Sequence, residues 1–246
     1  EKLFETADAL GLRYVGYSEH WHPGTSPDLF LRIRDELERL QPQFRVRVFL
    51  SAEIDVLNAR GDLAVDPVKA SEVLDYLSVA ISHYGSPSVE QLHPDKVEDT
   101  LAMIKAVCAI PEVTMLMHPQ IVYGRNLSDI DGMVPYDVYD EAITAVAAND
   151  KVVDYPSLDH SLAYLDYLGF SAQALADARE SFCNFTRAVV AHKVKLAPGS
   201  DAHNVDWVLT PLPDGSSQWF GNNRASLALL QASGYHEDQL WTYAPR

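Results

Sequence analysis

The 246 residues, 47% of them hydrophobic, supply enough apolar material for one large α/β domain or two small ones, so disorder is not expected. Nineteen basic against 35 acidic side chains give a formal charge of −16, and no segment concentrates Lys and Arg with interleaved aromatics, which disfavours nucleic acid and other polyanions over most of the surface. The two cysteines, Cys108 and Cys183, argue against a disulfide framework and for a reducing compartment, with the cytoplasm expected, and no apolar run reaches the about 20 residues that a membrane span needs.

The chain opens in a helical pattern, "EKLFETADALG", with Leu3, Ala7 and Leu10 on one face and Gly11 where a C-cap is expected. Apolar runs rich in β-formers then recur: "RYVGYSEH" (13–20), "RVRVFLSAEIDV" (45–56), "YLSVAISHY" (76–84), "VTMLMHP" (113–119), "KVVDYP" (151–156) and "KVKLAPGSDAH" (193–203). Between them the spacing predicts helices over 27–40, 95–109, 138–149, 171–192 and 223–234, the last closed by Gly234. Strand and helix alternating in this way predict a parallel sheet with helices outside. There is no internal repeat and no Pro/Gly/Ser linker, so one domain spanning residues 1–246 is expected. Six strands and an opening helix with no strand before it predict a TIM-like barrel of about seven βα units. Its first strand is expected to be missing from the chain, and the natural protein to be longer.

The polar residues fall at strand ends. His20, Glu53, His83, His118 and the pair Asp201/His203 each close a run, and Asp154 lies at the end of "KVVDYP". In a parallel barrel all those ends gather at one mouth, so residues distant in sequence converge there. A single Asp-x-His equally suits a helix cap followed by a surface histidine, but four of the nine histidines in this one position form a pattern that points to a metal site. Imidazole and carboxylate together suit zinc, manganese or iron, whereas an all-oxygen magnesium or calcium cage uses few histidines. Glu53, a carboxylate among imidazoles, is the candidate bridge between two ions. Paired ions clamp the attacking and leaving oxygens of a phosphoryl displacement, which makes phosphate-ester hydrolysis the leading chemistry.

These residues resemble the PHP (polymerase and histidinol phosphatase) family of metal-dependent phosphoesterases. "YVGYSEH" is similar to the family's second motif, usually Thr-Asp-His, "LSAEIDV" to its glutamate motif, "VAISHYG" to the next histidine motif, "LMHP" to its His-Pro motif, and "PGSDAH" to its closing Ser-Asp-Ala-His. The resemblance implies a distorted seven-stranded (β/α) barrel with two or three divalent ions (Zn, Mn or Fe) and a metal-bound hydroxide as nucleophile. It implies that Glu53 bridges two ions, that His83 and His118 complete one of them, that Asp201 binds another, and that His20 and His203 help hold a third. Glu53 and Asp201 are the catalytic candidates. Arg125 in "IVYGRN" and Asp154 are the candidates for substrate binding, although a lone loop arginine equally reads as a surface residue. The implied partner is a small-molecule phosphate ester such as histidinol phosphate, a nucleotide or a sugar phosphate. No membrane partner is expected, and a homo-oligomer remains open.

The family's first motif, His-x-His on the first strand, has no counterpart here, so the fragment is expected to bind metal incompletely. Glu19 stands where Asp is usual, a one-methylene change expected to move a hydrogen bond to a ligand. "VVDYP" stands where many members carry a Glu-Ile-Asn-like segment. His22 reads as an exposed loop histidine beside Pro23, and His93, His160, His192 and His236 lie outside the strand-end pattern as structural or surface residues. Two other functions stay open: a non-catalytic metal-binding relic, and an exonuclease-type phosphodiesterase that the acidic charge disfavours.

Overall fold

The six apolar runs form six strands of one parallel sheet, in chain order β1 to β6. These are β1 (Tyr14–Trp21), β2 (Arg47–Asp55), β3 (Leu77–Ala80), β4 (Val113–Met117), β5 (Val152–Tyr155) and β6 (Lys195–Pro198). The helices are α1 (Lys2–Ala9), α2 (Pro27–Leu40), α3 (Pro67–Ser71), α4 (Lys96–Cys108), α5 (Tyr136–Ala148) and α6 (Ala172–Ala191). The computed structural model describes residues 1–9, 11–81, 96–119, 133–155, 162, 169–199, 232–235 and 241.

Local chemistry explains most boundaries. α2 begins at Ser26, whose hydroxyl accepts from the backbone N–H of Asp28, with Pro27 in the first turn, where its missing N–H costs nothing. α6 begins in the same way at Ser171, which accepts from Ala174 N–H. The spacing over 27–40 predicts the bounds of α2, and Gly11 has the positive φ of 71° expected after a helix end. α3 is not expected from the spacing. Its signal is the dipeptide Asp66-Pro67, a cap whose carboxylate accepts from Val68 N–H, followed by proline. In α1 the buried residues are Phe4 and Ala7, so the apolar stripe centres on Phe4 rather than on Leu3. Of the helix predicted over 223–234 only the end is described, where Gly234 has a φ of 85°.

The two faces of the sheet have different contents. Leu50, Ile54, Val79, Leu116, Val153 and Leu196 face the helices and form the main core with side chains of α2, α4, α5 and α6. Trp21 stacks on Phe30 of α2 with centroids 4.1 Å apart, a contact worth about 0.5–1.5 kcal/mol beyond its buried area. The opposite face carries the alternate residues, because successive side chains of a strand point to opposite sides. Near the strand starts it is apolar, with Phe49, Tyr76, Met115 and Val152 clustered and Trp241 edge-on to Tyr76. Gly16 on β1 makes room for the Tyr76 hydroxyl, which a Cβ at that position would strike. Further up, Ser51 and Ser78 share a buried hydrogen bond of 2.9 Å. Polar residues then follow toward the strand ends, and from β2 a side chain reaches past β3 to the residue just after β4, so the sheet curls around this face.

Among the described residues no helix is long and apolar enough to cross a membrane.

Candidate metal centre

The ladder between β1 and β2 sets His20 opposite Glu53. Beyond β3 lies His118, immediately after β4. The Glu53 carboxylate joins the two histidines: Oε1 is 2.8 Å from Nε2 of His118 and Oε2 is 3.5 Å from Nδ1 of His20. This contact spans β3, whose inward-facing residues there are the small Ser78 and Ala80, each in register with the strands on both sides. A bulky side chain at either would fill the space in which Glu53 and His118 meet.

His118 is held from behind by Asp154 of β5. Oδ2 of Asp154 lies 3.1 Å from Nδ1 of His118 and accepts from its backbone N–H at 3.4 Å. A carboxylate thus faces each ring nitrogen of His118; were an ion to take the place of the Nε2 proton, the Asp154 carboxylate would hold the remaining proton on Nδ1, the arrangement that carboxylates impose on metal-binding histidines. His118 has a φ of 38°, a left-handed conformation that costs a non-glycine residue roughly 1–3 kcal/mol, and Asp154 grips both its backbone and its ring. Glu53, His118 and Asp154 are all buried, with residue exposures of 7%, 4% and 3%, so their charges depend on one another for compensation.

Gly199 follows β6 and donates its N–H to the carbonyl of Tyr155 at 3.2 Å. A Cβ there would overlap Oδ1 of Asp154 and stand 2.7 Å from its Cγ. The glycine in "PGSDAH" thus provides space for the carboxylate that orients His118.

Of the residues expected from the sequence, His20, Glu53, His118 and Asp154 come together on one end of one face. Asp154 stands against His118 as its orienting carboxylate, a relationship that its position at a strand end does not reveal. His83, Arg125, Asp201 and His203 lie outside the described residues. Alternation sets Glu19 on the face opposite His20, where its carboxylate accepts from the backbone N–H of His20 (3.0 Å) and from the Tyr17 hydroxyl (3.3 Å). Burial, and then the Glu19 carboxylate, push the Tyr17 phenol above its ordinary pKa.

His22, expected as a loop histidine, has a partner. Its Nδ1 lies 2.7 Å from Oδ2 of Asp55, a residue with no exposed surface. Asp55 is the residue that sequence reasoning missed. The available signal was the spacing Glu53-x-Asp55, which puts both carboxylates on one face of β2. His192, left aside as structural, pairs with Asp140 at 2.9 Å, and this contact holds the Asp140 carboxyl below the usual range.

The donors at this end are imidazole nitrogens and carboxylate oxygens, a set whose softness fits a borderline divalent ion. Among the described residues no group of three such side chains stands ready as a ligand set, and Glu53 and His118 bond to each other.

No protein-family model matches the chain. No curated protein matches it by sequence. Among solved structures it is similar to a histidinol phosphate phosphatase from Lactococcus lactis subsp. lactis Il1403, complexed with zinc, L-histidinol and phosphate. That likeness has a TM-score of 0.56 at 16% identity and covers 99% of this chain and 90% of the other. Weaker likenesses join it to an amidohydrolase (TM-score 0.41, 9% identity, 94% of this chain and 61% of the other) and to an uncharacterized protein (TM-score 0.40, 12% identity, 98% and 68%). At such identities the first likeness establishes the α/β fold.

Proposed function

We propose that this chain is a metal-dependent hydrolase of phosphate esters, of the PHP kind that its motifs resemble. The observation that carries the reading is the Glu53 carboxylate directed at His118 with one oxygen and at His20 with the other, at the ends of strands that are distant in sequence. The fold likeness to a phosphatase complexed with zinc, L-histidinol and phosphate supports it. In this reading the sheet belongs to a distorted seven-stranded barrel, and two or three ions of zinc, manganese or iron are its cofactors.

His20, Glu53 and His118 would hold the ions, with His83, Asp201 and His203 completing the set and Arg125 near the phosphate. Bound divalent ions supply a Lewis acid for the phosphoryl oxygens and lower the pKa of a coordinated water. The protein's own contribution is orientation. Asp154 keeps the Nδ1 proton of His118 and so directs its Nε2 lone pair, and Glu53 distributes one negative charge between two imidazoles. Burial around Glu53, His118 and Asp154 strengthens each of these interactions by excluding water. The charge of −16 favours a small ester over a nucleic-acid polyanion.

The test is a screen of phosphomonoesters and phosphodiesters with zinc- or manganese-loaded protein. Release of inorganic phosphate or an alcohol that disappears in Glu53→Gln is expected. Protein that retains its metal and releases nothing from any ester would refute the reading.

A further inference from the structure

The pairing of His22 with Asp55 is not explained by the six ligands of the proposed centre. A carboxylate without exposed surface, as Asp55 is at the end of β2, is costly unless it is partnered, and a loop histidine at the surface has no need of one. His22 immediately follows β1, whose ladder with β2 runs to Trp21 opposite Ile54, so the pair lies just past the last rung and, two residues on from His20 and Glu53, on their face. The two imidazoles stack, with centroids 5.1 Å apart and planes 14° from parallel. Each turns Nδ1 toward a β2 carboxylate, His20 toward Glu53 at 3.5 Å and His22 toward Asp55 at 2.7 Å. In two nearly parallel rings with Nδ1 on the β2 side, both Nε2 atoms lie on the side away from β2. A carboxylate within hydrogen-bond distance of Nδ1, as Asp55 is of His22, favours the tautomer with its lone pair on Nε2.

We propose that His22 is an additional imidazole ligand of the divalent-ion centre, acting beside His20, with Asp55 as the buried carboxylate that orients it. The inference rests on the reading that this end of the sheet binds divalent ions. It makes "HWH" at the end of β1 a ligand pair and Glu53-x-Asp55 the carboxylate pair facing it. The side chain of His22 is 45% exposed, so the ligand stands at the open side of the centre; its removal leaves the buried Asp55 without this partner, and His22→Gln, whose amide can still donate to that carboxylate, separates loss of the ligand from loss of the fold.

Metal-free protein prepared with a chelator is titrated with Zn²⁺ and Mn²⁺ against a chromophoric competitor, and bound metal is counted after dialysis. The proteins are wild type, His22→Ala, His22→Gln, Asp55→Asn and, as a control remote from the site, His192→Ala. The expected result is tenfold or greater weakening of one bound ion, or its loss, in both His22 variants, weakening of about 10–100-fold in Asp55→Asn, and no change in His192→Ala. Cobalt-loaded wild type and His22→Ala are expected to differ in visible absorption, which a purely structural ion pair would not alter. If wild type binds ions and the His22 variants bind the same number with the same affinity, the inference is overturned while the metal-centre reading stands. If wild type binds no divalent ion, both fall.

Discussion

Nε2 of His118 lies 2.8 Å from Oε1 of Glu53, although 65 residues separate them in the chain. The contact passes over β3 and is possible because β3 presents Ser78 and Ala80 there. Everything proposed for the site depends on this pair. Glu53→Gln removes the negative charge and almost no volume, so turnover is expected to fall to background while metal-free protein unfolds no earlier than wild type. Phosphate-release assays and thermal melts check this, and wild-type turnover in Glu53→Gln would refute the bridging role.

Asp154 contacts both the ring and the backbone N–H of His118, which in the proposed function makes it an orienting residue. Asp154→Asn keeps the volume but weakens the grip on Nδ1, and a lost orienting carboxylate typically lowers metal affinity by about 10–100-fold. Competition titration measures the effect. An unchanged metal affinity combined with a raised KM would instead support the substrate-binding role expected from sequence.

Gly199→Ala is expected to reproduce much of the Asp154 defect from a different strand, since its Cβ would overlap that carboxylate. The double variant Gly199→Ala/Asp154→Ala should therefore bind metal no more weakly than Asp154→Ala alone. Additive losses in metal affinity would show that Gly199 acts elsewhere.

The buried Ser51–Ser78 hydrogen bond makes a stability prediction. Ser51→Ala or Ser78→Ala alone leaves a buried hydroxyl without its partner, at about 1–3 kcal/mol, whereas the double variant should cost less than the sum. Urea unfolding of the four proteins gives the coupling directly, and strict additivity would argue against the bond.

Alkaline pH tests the core. Burial raises the Cys108 thiol to about 12 and also raises the Tyr155 phenol. Both groups ionise more readily in the unfolded chain, so the folded state binds more protons between about pH 9 and 12 and stability falls as pH rises through that window. Cys108→Ala and Tyr155→Phe should each make the fall shallower in urea midpoints measured across it. Cys108 should also resist alkylation at pH 8 until the protein unfolds.

Much of the fold was legible in the sequence, since periodicity reports which face of an element is buried. The six apolar runs are the six strands, and α2 lies where the spacing predicts it. α3 was hidden because its cap and proline signal only a single turn. That His20, Glu53 and His118 come together was legible because they close apolar runs, and in a parallel sheet every run closes on the same side.

The sequence by itself determined the alternation of strand and helix, the sidedness of each strand and the donor types at the strand ends, because these depend on local chemistry and a repeat of two or 3.6 residues. Only the tertiary structure decided which of those donors meet. The course of the chain just past the β1–β2 ladder set His22 against Asp55, the curl of the sheet over small β3 residues brought Glu53 to His118, and the approach of β6 to β5 made the space at Gly199 a condition for Asp154. Register, curl and close approach arise from packing between elements, and no local pattern records them.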